Sequence, residues 1–513
     1  MSRVPVRIAW SRAGAVLLVL LVAAGGRPAR AQVPDSMAAA SSRDTTRAVR
    51  EVELLHADEL RKQSADTLEL VGDVRLRQGE TGLRAGRALE LIAQEAYLFL
   101  GDVVIVERGD TLRALRVRYD HRHKVGDADG GVVLSDGDVV VRAPSGRYYT
   151  DEKRAVFEEG VTLVDSASVL TSRAGSYWSD EKRAVFFDQV RLTGDRTFLE
   201  ADTVVYFRET EVADARGRVF IERLGGDEDA GAAEDSTTRT FLFGARAYND
   251  NRAAFSRIEG RPLLVQLRAD SSGALSDTLL VRAERLEIVR QDSLQRLIAV
   301  GDVQIWQPEF AAAADSVVYE RRTRAASDVR EETRLFGRPA AWFDTSQATG
   351  DTLRITARGG ALDTLFITGQ AFVARRDTLL DRLSQLKGHT ITGLFVQDTL
   401  RTLLVGPNAE AIHYLRNEDT DDLGGAVQAS ADRIVFDLEG DGELRDIRFY
   451  RGIEGTYFDA GQIPEPLRLD GFRWEPERRP RPETLFPATW KERLDRHLNA
   501  PAGAPVTVQG TSG

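Results

Sequence analysis

Cysteine is absent from the 513 residues of the chain, and methionine occurs only twice. Without cysteine the chain can form neither a disulfide framework nor a lipid-modified N-terminal Cys. Its stability must therefore come from burial and backbone pairing. The apolar run from Ala13 to Ala24 is well short of the roughly 20 residues that a membrane-spanning helix needs, and no later stretch approaches that length. A single-pass membrane anchor is therefore not expected.

This apolar run belongs to a pattern typical of protein export. Arginines precede it, and Ala29-Arg30-Ala31 follows it as a cleavage site of the A-x-A type. We therefore predict a signal peptide over residues 1–31 and a mature chain that begins at Gln32. The predicted location is the periplasm, with a link to the outer membrane through partners.

Basic residues are too few for a nucleic-acid partner. The chain has 69 basic and 80 acidic residues, a net charge of −11. Residues 1–31 hold five arginines and no acid, so the mature chain has 64 basic residues and a net charge near −16. Nucleic acids and anionic membrane surfaces both attract basic stripes, which disfavours them as partners. An anionic glycolipid would have to be held by its apolar tails.

Residues for catalysis or metal binding are also scarce. His121 and His123 are the only close pair among six histidines, and they fall where the next repeat has an Asp-Glu-Lys-Arg turn. The tripeptide Asp-Thr-Leu recurs along the chain, but an active site needs one convergent cluster rather than many copies. No Ser-His-Asp order, zinc-ligand spacing or phosphate loop is evident. We expect no enzyme activity, no metal site and no cofactor.

A period of 29 residues organises the N-terminal half of the chain. The period is carried by valines and tyrosines at fixed spacing: Val74, Val103, Val132, Val161, Val190 and Val219, and Tyr119, Tyr148, Tyr177 and Tyr206. The segment 151–157 also recurs intact as 180–186. We therefore predict a repeat over residues 68–222, with weaker copies from about residue 281 onwards.

The pattern of the repeat unit predicts β-strands. Pairs such as Val161 and Leu163 place apolar residues two apart, on one face of a strand. We expect about three short strands per unit, with Gly-Asp and Asp-Glu-Lys-Arg segments as the turns. Only Asp377 to Leu386 has helix-like spacing, for at most three turns. The predicted fold class is all-β, an elongated structure of stacked 29-residue repeats.

Composition divides the chain into five segments. We predict a signal peptide (1–31), a disordered leader (32–50), a first repeat region (51–224), a second repeat region (237–475) and an extended Pro/Arg-rich tail (476–513). An acidic, Gly-rich interruption at 225–236 separates the two repeat regions.

Stacked strands would align the repeated apolar residues in columns on one sheet face. If a second sheet closes on this face, the columns form a packed core; if the sheets splay apart, they line a slot that could hold hydrocarbon chains. The sequence leaves both outcomes open. The candidate lipid-binding residues are those of the interior columns: Val74, Leu76, Val103, Ile105, Val132, Leu134, Val161, Leu163, Val190, Leu192, Val219, Ile221, Val303 and Ile305.

A family resemblance favours the slot. The pattern Gly-x-Val-x-Leu, turn, Leu-x-Ala, aromatic, at 72–119 and 130–148, resembles the OstA-like, LptA-type family of lipopolysaccharide-transport proteins. Downstream segments at 385–395, 406–414 and 471–474 are similar to the large OstA-like proteins of Bacteroidota-type bacteria. The resemblance covers about residues 50–480.

This resemblance implies a β-jellyroll, or β-taco, whose interior binds the acyl chains of lipid A. It implies a role in outer-membrane biogenesis, in which the protein passes lipopolysaccharide toward the outer membrane. Partners would be other jellyroll components of the transport bridge, paired through the edge strand near Val71 or the one near Tyr457. The chain is more than twice as long as a simple bridge protein.

The alternative is a structural β-solenoid that binds protein or glycan through its outer surface and has a dry interior. Interlocking large residues in the interior columns would favour it. Lipid that co-purifies with the mature protein would favour transport.

Overall fold

The computed structural model describes residues 52–499, apart from 108, 136, 138, 166–167, 195–196, 225–237, 270–274, 292, 309, 326–327, 344, 360, 398, 418–421 and 440–443. The predicted signal peptide (1–31) and leader (32–50) lie outside the described residues. No helix in the described part is long and apolar enough to cross a membrane.

The described chain is antiparallel β-structure with little helix, so the all-β prediction is confirmed. It divides into two compact units: the first contains residues up to 223 and 246–256, and the second contains 224–245 and the residues from 257 onwards. The strands β16 (Thr238–Asp250) and β17 (Phe255–Glu259) cross this division.

The strands of the first unit pair antiparallel, mostly with the next strand along the chain. They are β1 (Glu53–His56), β2 (Glu59–Ser64), β3 (Thr67–Gln78), β4 (Thr81–Leu91), β5 (Ala96–Glu107), β6 (Asp110–Asp120), β7 (Val125–Ser135), β8 (Val140–Tyr149), β9 (Arg154–Phe157), β10 (Val161–Val164), β11 (Ser168–Ser172), β12 (Ala174–Trp178), β13 (Arg183–Gly194), β14 (Thr197–Phe207) and β15 (Val212–Leu224). The strands β1 and β2 both pair with β3, and β9 and β10 both pair with β8. A short 3₁₀ turn spans Ile92–Gln94.

The second unit continues with the same architecture. Its strands are β18 (Leu263–Ala269), β19 (Leu275–Arg282), β20 (Arg285–Gln291), β21 (Leu294–Gln307), β22 (Phe310–Ala325), β23 (Asp328–Phe336), β24 (Ala340–Phe343), β25 (Ser346–Thr349), β26 (Thr352–Arg358), β27 (Ala361–Asp377), β28 (Arg382–Val396), β29 (Thr399–Gly406), β30 (Ala409–Arg416), β31 (Leu423–Ala431), β32 (Arg433–Leu438), β33 (Leu444–Tyr450) and β34 (Glu454–Asp459).

The Gly-Asp segments form β-bulges rather than turns, which corrects the sequence prediction. In β5 the pairing with β6 shifts between Leu100 and Val103, and Gly101 and Asp102 have φ of 77° and 45°. Two successive left-handed residues bend a strand and increase its twist without ending it. Gly301-Asp302 bends β21 in the same way.

Each 29-residue unit therefore contains two long bent strands, not the three short strands that the sequence predicted. The strands β5 and β6, with 12 and 11 residues, span one repeat between them. Later in the first unit, β9 and β10 are separate short strands, as are β11 and β12. Each of these two pairs takes the place of the single bent strand found in neighbouring repeats.

The bends divide the first unit into two sheet halves. The tyrosine half consists of 67–71, 87–91, 96–100, 116–120, 125–129, 145–149, 154–157, 174–178, 183–187, 203–207 and 212–216. The leucine half consists of 74–78, 81–85, 103–107, 110–114, 132–135, 140–143, 161–164, 168–172, 190–194, 197–201 and 219–224. The inner faces of the two halves cover each other, as in a folded sheet.

Four-residue turns close the outer end of the tyrosine half. The two Asp-Glu-Lys-Arg segments each contribute to one of them, and His121 and His123 lie in another, as predicted. Successive turns are joined by backbone hydrogen bonds, such as Thr150 N to Lys124 O at 3.0 Å. An ion pair of 3.0 Å between Lys124 and Asp151 repeats this connection at the surface.

The C-terminal segment is folded, where the sequence predicted an extended tail. It contains 3₁₀ turns at Ala460–Gln462 and Pro476–Arg478, then the helices α1 (Pro482–Leu485) and α2 (Ala488–Leu498). We call residues 460–498 the C-terminal strap, because they run across the outer face of the second unit. Leu485 and Leu494 of the strap are buried.

Specific contacts hold the strap in place. The amide of Gln385 in β28 donates to Leu467 O at 3.1 Å and accepts from Leu469 N at 2.9 Å. Gln347 in β25 donates to Arg473 O and accepts from Glu475 N at 2.8 Å. Both glutamines are almost fully buried, so these bonds satisfy polar groups that water cannot reach.

Aromatic contacts complete the strap interface. The ring of Trp490 stacks on that of Phe243 with a centroid distance of 5.2 Å. Phe472 meets Phe372 edge to face at 5.9 Å.

The helix-like spacing from Asp377 to Leu386 does not produce a helix. The backbone makes a turn after Asp377 and continues as β28, which pairs with β27 over most of its length. The prediction was wrong because the leucines are divided between two elements: Leu379 and Leu380 lie in the hairpin turn, and Leu383 and Leu386 lie in the paired strand β28.

Candidate functional site: an apolar interior between two sheet halves

Four ladders of side chains line the interior of the first unit. The two floor ladders lie beside the bend. They are the valine floor (Val74, Ala85, Val103, Ala114, Val132, Ala143, Val161, Ser172, Val190, Ala201 and Val219) and the phenylalanine floor (Ala88, Phe99, Val117, Ala128, Gly146, Phe157, Gly175, Phe186, Val204 and Ala215). All the members of both floors are buried, except Gly146, which is partly so.

The two rim ladders lie one inward-facing position farther from the bend. They are the leucine rim (Leu76, Leu83, Ile105, Leu112, Leu134, Val141, Leu163, Leu170, Leu192, Leu199 and Ile221) and the tyrosine rim (Leu68, Glu90, Tyr97, Tyr119, Gly126, Tyr148, Ala155, Tyr177, Ala184, Tyr206 and Ala213). The tyrosine rim alternates large and small residues from Gly126 onwards.

Size complementarity explains the phenylalanine floor. Gly175 lies opposite Phe157 on one side and Phe186 on the other. A Cβ on Gly175 would come within 3.2 Å of the Phe186 ring and 3.5 Å of Val161 in the leucine half. The missing side chain therefore lets large rings of one half approach the opposite half.

Exposure changes along the leucine rim. From Leu76 to Val141 the members of this rim are partly exposed. From Leu163 to Ile221 they are buried, with Leu192 2% and Leu199 0% exposed. The two halves therefore leave an open mouth over β3–β8 and close together over β10–β15.

The tyrosine rim follows the same gradient. Tyr97, Tyr119, Tyr148 and Tyr177 are partly exposed, whereas Tyr206 is 3% exposed. Burial raises the pKa of Tyr206 to about 12, because the charged phenolate would lose its hydration. The hydroxyl therefore stays neutral over the physiological range.

A cavity of about 80 Å³ lies at the transition between the open and closed parts. Residues of both halves line it, including Leu134, Val141 and Leu163 on one side and Phe157 and Tyr177 on the other. Its lining is mostly apolar, and apolar cavities stay dry and accept hydrocarbon.

The structure places the predicted interior residues in two units. Twelve of the fourteen are in the first unit, where the valines form the valine floor and Leu76, Ile105, Leu134, Leu163, Leu192 and Ile221 belong to the leucine rim. Val303 and Ile305 are in the second unit, opposite Ala314 and Ala312. The last two therefore lie on the inner face of the second unit.

None of the interior residues predicted from the sequence belongs to the tyrosine half. The spacing of Tyr119, Tyr148, Tyr177 and Tyr206 was visible, and an inward position two residues before each turn could have been inferred from it. In the phenylalanine floor, Phe99, Phe157 and Phe186 lie at multiples of the same 29-residue spacing, so part of this ladder carried a signal as well; its other members vary in residue type. Among the described residues no group of three His, Asp or Glu side chains could hold a metal ion.

The predicted edge near Val71 is formed by the strands that pair with β3. Val71 pairs with both Glu59 and Arg87, so it lies inside the sheet and not at an edge. Among the described residues the edge consists of β1 and β2, because β3 has neighbours on both sides. Leu54 and Leu60 on these edge strands are 50% and 66% exposed.

The other predicted end contains an exposed aromatic residue. Tyr457 in β34 is 56% exposed, and β34 pairs with β31 along one side.

Part of the chain matches known proteins. Residues 49–202 match the model of the family described as OstA-like protein. No curated protein sequence matches the chain. A solved structure that matches is LptH of Pseudomonas aeruginosa, described as the LptA homologous periplasmic component of the conserved lipopolysaccharide transport device. It is 14% identical, with a TM-score of 0.14, and the match covers 33% of this chain and 83% of LptH.

The family match falls on the segment in which the two halves form the open mouth and the start of the closed part. The predicted resemblance is thereby confirmed for this segment, and the chain is similar to OstA-like proteins over residues 49–202.

Proposed function

We propose that the protein is a periplasmic carrier that binds the acyl chains of lipopolysaccharide between the two halves of the first unit and passes the lipid toward the outer membrane. The observation that carries this proposal is the partly exposed leucine rim from Leu76 to Val141 above a fully apolar floor. In a packed core these six successive rim residues would be buried, whereas here they are partly exposed. The similarity to OstA-like proteins supports the same function.

Acyl-chain burial supplies the binding energy without a basic surface. Each buried methylene contributes about 0.8 kcal/mol, so a few methylenes of several chains suffice for stable binding. The acidic net charge of the chain, −11, fits this mode, because the lipid is held by its tails. The signal peptide predicted over residues 1–31 would bring the protein to the periplasm.

Site-specific photo-crosslinking in cells tests the proposal. A photoreactive amino acid at Ile105 or Leu134, on the leucine rim, should capture lipopolysaccharide. The matched controls are Val104 and Val133, each one residue away on the same strand and on its outer face. Equal capture at rim and control positions, or none at either, would contradict the proposal.

The alternative, a structural solenoid with a dry interior, has one observation in its favour. The closed part of the first unit is packed, with Leu199 and Val190 fully buried. Native mass spectrometry of the purified mature protein distinguishes the two functions. Co-purified species with the mass of lipid A derivatives support transport, and a lipid-free protein that takes up no added lipid supports the solenoid.

A further inference from the structure

The cavity of the first unit joins the open part of the interior to the closed part. Leu134 and Val141, which line the cavity, belong to the partly exposed section of the leucine rim. Leu163 also lines it, pairs with Val141 on the neighbouring strand and is only 5% exposed. The cavity therefore extends the open part by one step into the closed part.

Two phenylalanine rings form the floor of this cavity. Phe157 and Phe186 both line it and lie 29 residues apart in the phenylalanine floor. Each ring leans over a glycine of the neighbouring strand. A Cβ on Gly146 would lie 2.9 Å from the Phe157 ring, and one on Gly175 would lie 3.2 Å from the Phe186 ring. The rings therefore fill the space that the glycines leave, and their size sets the depth of the cavity.

A small residue keeps the cavity open on the side of the tyrosine rim. Ala184 lies between Tyr177 and Tyr206 on neighbouring strands, and all three residues line the cavity. Because side chains in a protein interior are closely packed, a larger residue in place of Ala184 would occupy part of the cavity.

The charged residues that line the cavity all lie on the side of the mouth. They are Asp110, Lys182 and Arg208, and each is two residues from a member of a rim, on the side away from the bend. Near the bend the lining consists of Val161, Gly175 and the two phenylalanine rings. This apolar inner end suits the end of a hydrocarbon chain rather than a polar headgroup.

We propose that the cavity receives the free end of an acyl chain and that Phe157, Phe186 and Ala184 determine which chain length the protein binds most tightly; this inference rests on the proposed function. The cavity has a volume of about 80 Å³, so it takes only a short piece of hydrocarbon. Methylene groups beyond this length remain outside the cavity and contribute less to binding, because apolar area must leave water to stabilise the complex.

The affinities of the purified mature protein for two synthetic lipid A analogues test this subsite. The analogues differ only in acyl length, with decanoyl chains in the short one and tetradecanoyl chains in the long one. The measured quantity is the ratio of the two affinities, so a general loss of active protein cancels. Phe157→Ala and Phe186→Ala enlarge the cavity, and Ala184→Leu fills part of it.

Each kind of change has a matched control in the first unit. Leu199→Ala removes a fully buried side chain of the closed part that is not among the residues lining the cavity. Ala174→Leu adds the same side chain as Ala184→Leu, but on the outer face of β12, since Ala174 precedes the inward-facing Gly175.

Phe157→Ala and Phe186→Ala should each raise the preference for the long analogue about tenfold, and Ala184→Leu should lower it by a similar factor. A tenfold change in affinity corresponds to about 1.4 kcal/mol, which is the burial of about two methylene groups. Both control variants should keep the ratio of the wild type.

Each contrary outcome has its own meaning. An unchanged ratio in the three test variants would overturn the chain-length subsite and leave acyl-chain binding intact. Equal changes of the ratio in test and control variants would also overturn it, because the effect would then not depend on the cavity. A wild type that binds neither analogue would refute the proposed function, and the subsite with it. Since the test variants shift the ratio in opposite directions, a folding defect in one of them does not mimic the expected result.

Discussion

At the residue scale, the repeated Gly-Asp bulge decides the shape of each strand. Gly72 has a φ of 79°, and a Cβ at this position would lie 1.9 Å from the Asp58 carboxylate. The backbone N–H of Asp58 donates to Val71 O at 3.0 Å, so the bulge is fixed by the neighbouring strand. Similar close approaches of an acidic side chain occur at Gly217, Gly301, Gly337 and Gly369.

Gly72→Ala should therefore destabilise the first unit by about 2 kcal/mol or more, since a left-handed alanine costs ~1–2 kcal/mol before any clash. Urea unfolding followed by circular dichroism measures the change. Gly82→Ala is the matched control, because that glycine lies in a regular strand and a Cβ there meets nothing within 4 Å. Similar midpoints for the two variants would mean that the bulge tolerates a side chain.

At the element scale, the C-terminal strap covers an outer sheet face that would otherwise expose apolar side chains. Leu485→Ala in α1 should destabilise the second unit by about 2–5 kcal/mol, because the leucine is fully buried. Limited proteolysis should then cut the strap faster than in the wild type. Glu483→Ala, at an exposed position of the same helix, should change neither stability nor cleavage.

A second element-scale prediction concerns the edge strands β1 and β2, through which we propose that other jellyroll proteins of the transport bridge bind. Leu60→Asp should weaken this association roughly tenfold, since a charge replaces an apolar contact at the edge. Sedimentation of the mature protein with a bridge-type jellyroll protein measures it. The control is Leu379→Asp, equally exposed at 66% but located in a hairpin turn of the second unit. A loss of association in both variants, or in neither, would rule out this edge.

At the scale of the whole molecule, the leucine rim of the first unit is partly exposed over β3–β8 and buried over β10–β15. Photo-crosslinking positions along the leucine rim should capture lipopolysaccharide strongly at Leu76 and Ile105 and weakly at Leu192 and Ile221. The reason is that the latter two are buried between the closed halves. Equal capture along the whole rim would mean that the closed part opens when lipid binds.

Part of this organisation follows from local sequence. The valines spaced by 29 residues and their partners two residues later, such as Val161 and Leu163, identified the inner face, because side chains alternate between faces in any strand. Arg191 lies between Val190 and Leu192, so the same alternation directs it outward, and it forms an ion pair of 3.0 Å with Glu200. The turns at the two Asp-Glu-Lys-Arg segments were also predicted, since these segments are strongly polar.

The sequence by itself determined the all-β class, the repeat and the inner column, since these depend on residues within one repeat. Only the tertiary structure decided which Gly-Asp segments bend a strand, where the halves separate and what covers the second unit. Those properties depend on contacts between distant residues, such as Gln385 with Leu469 and Phe243 with Trp490. The openness of the interior belongs to this second group, because the same valines suit a packed core and a slot, and only the distance between the two halves distinguishes them.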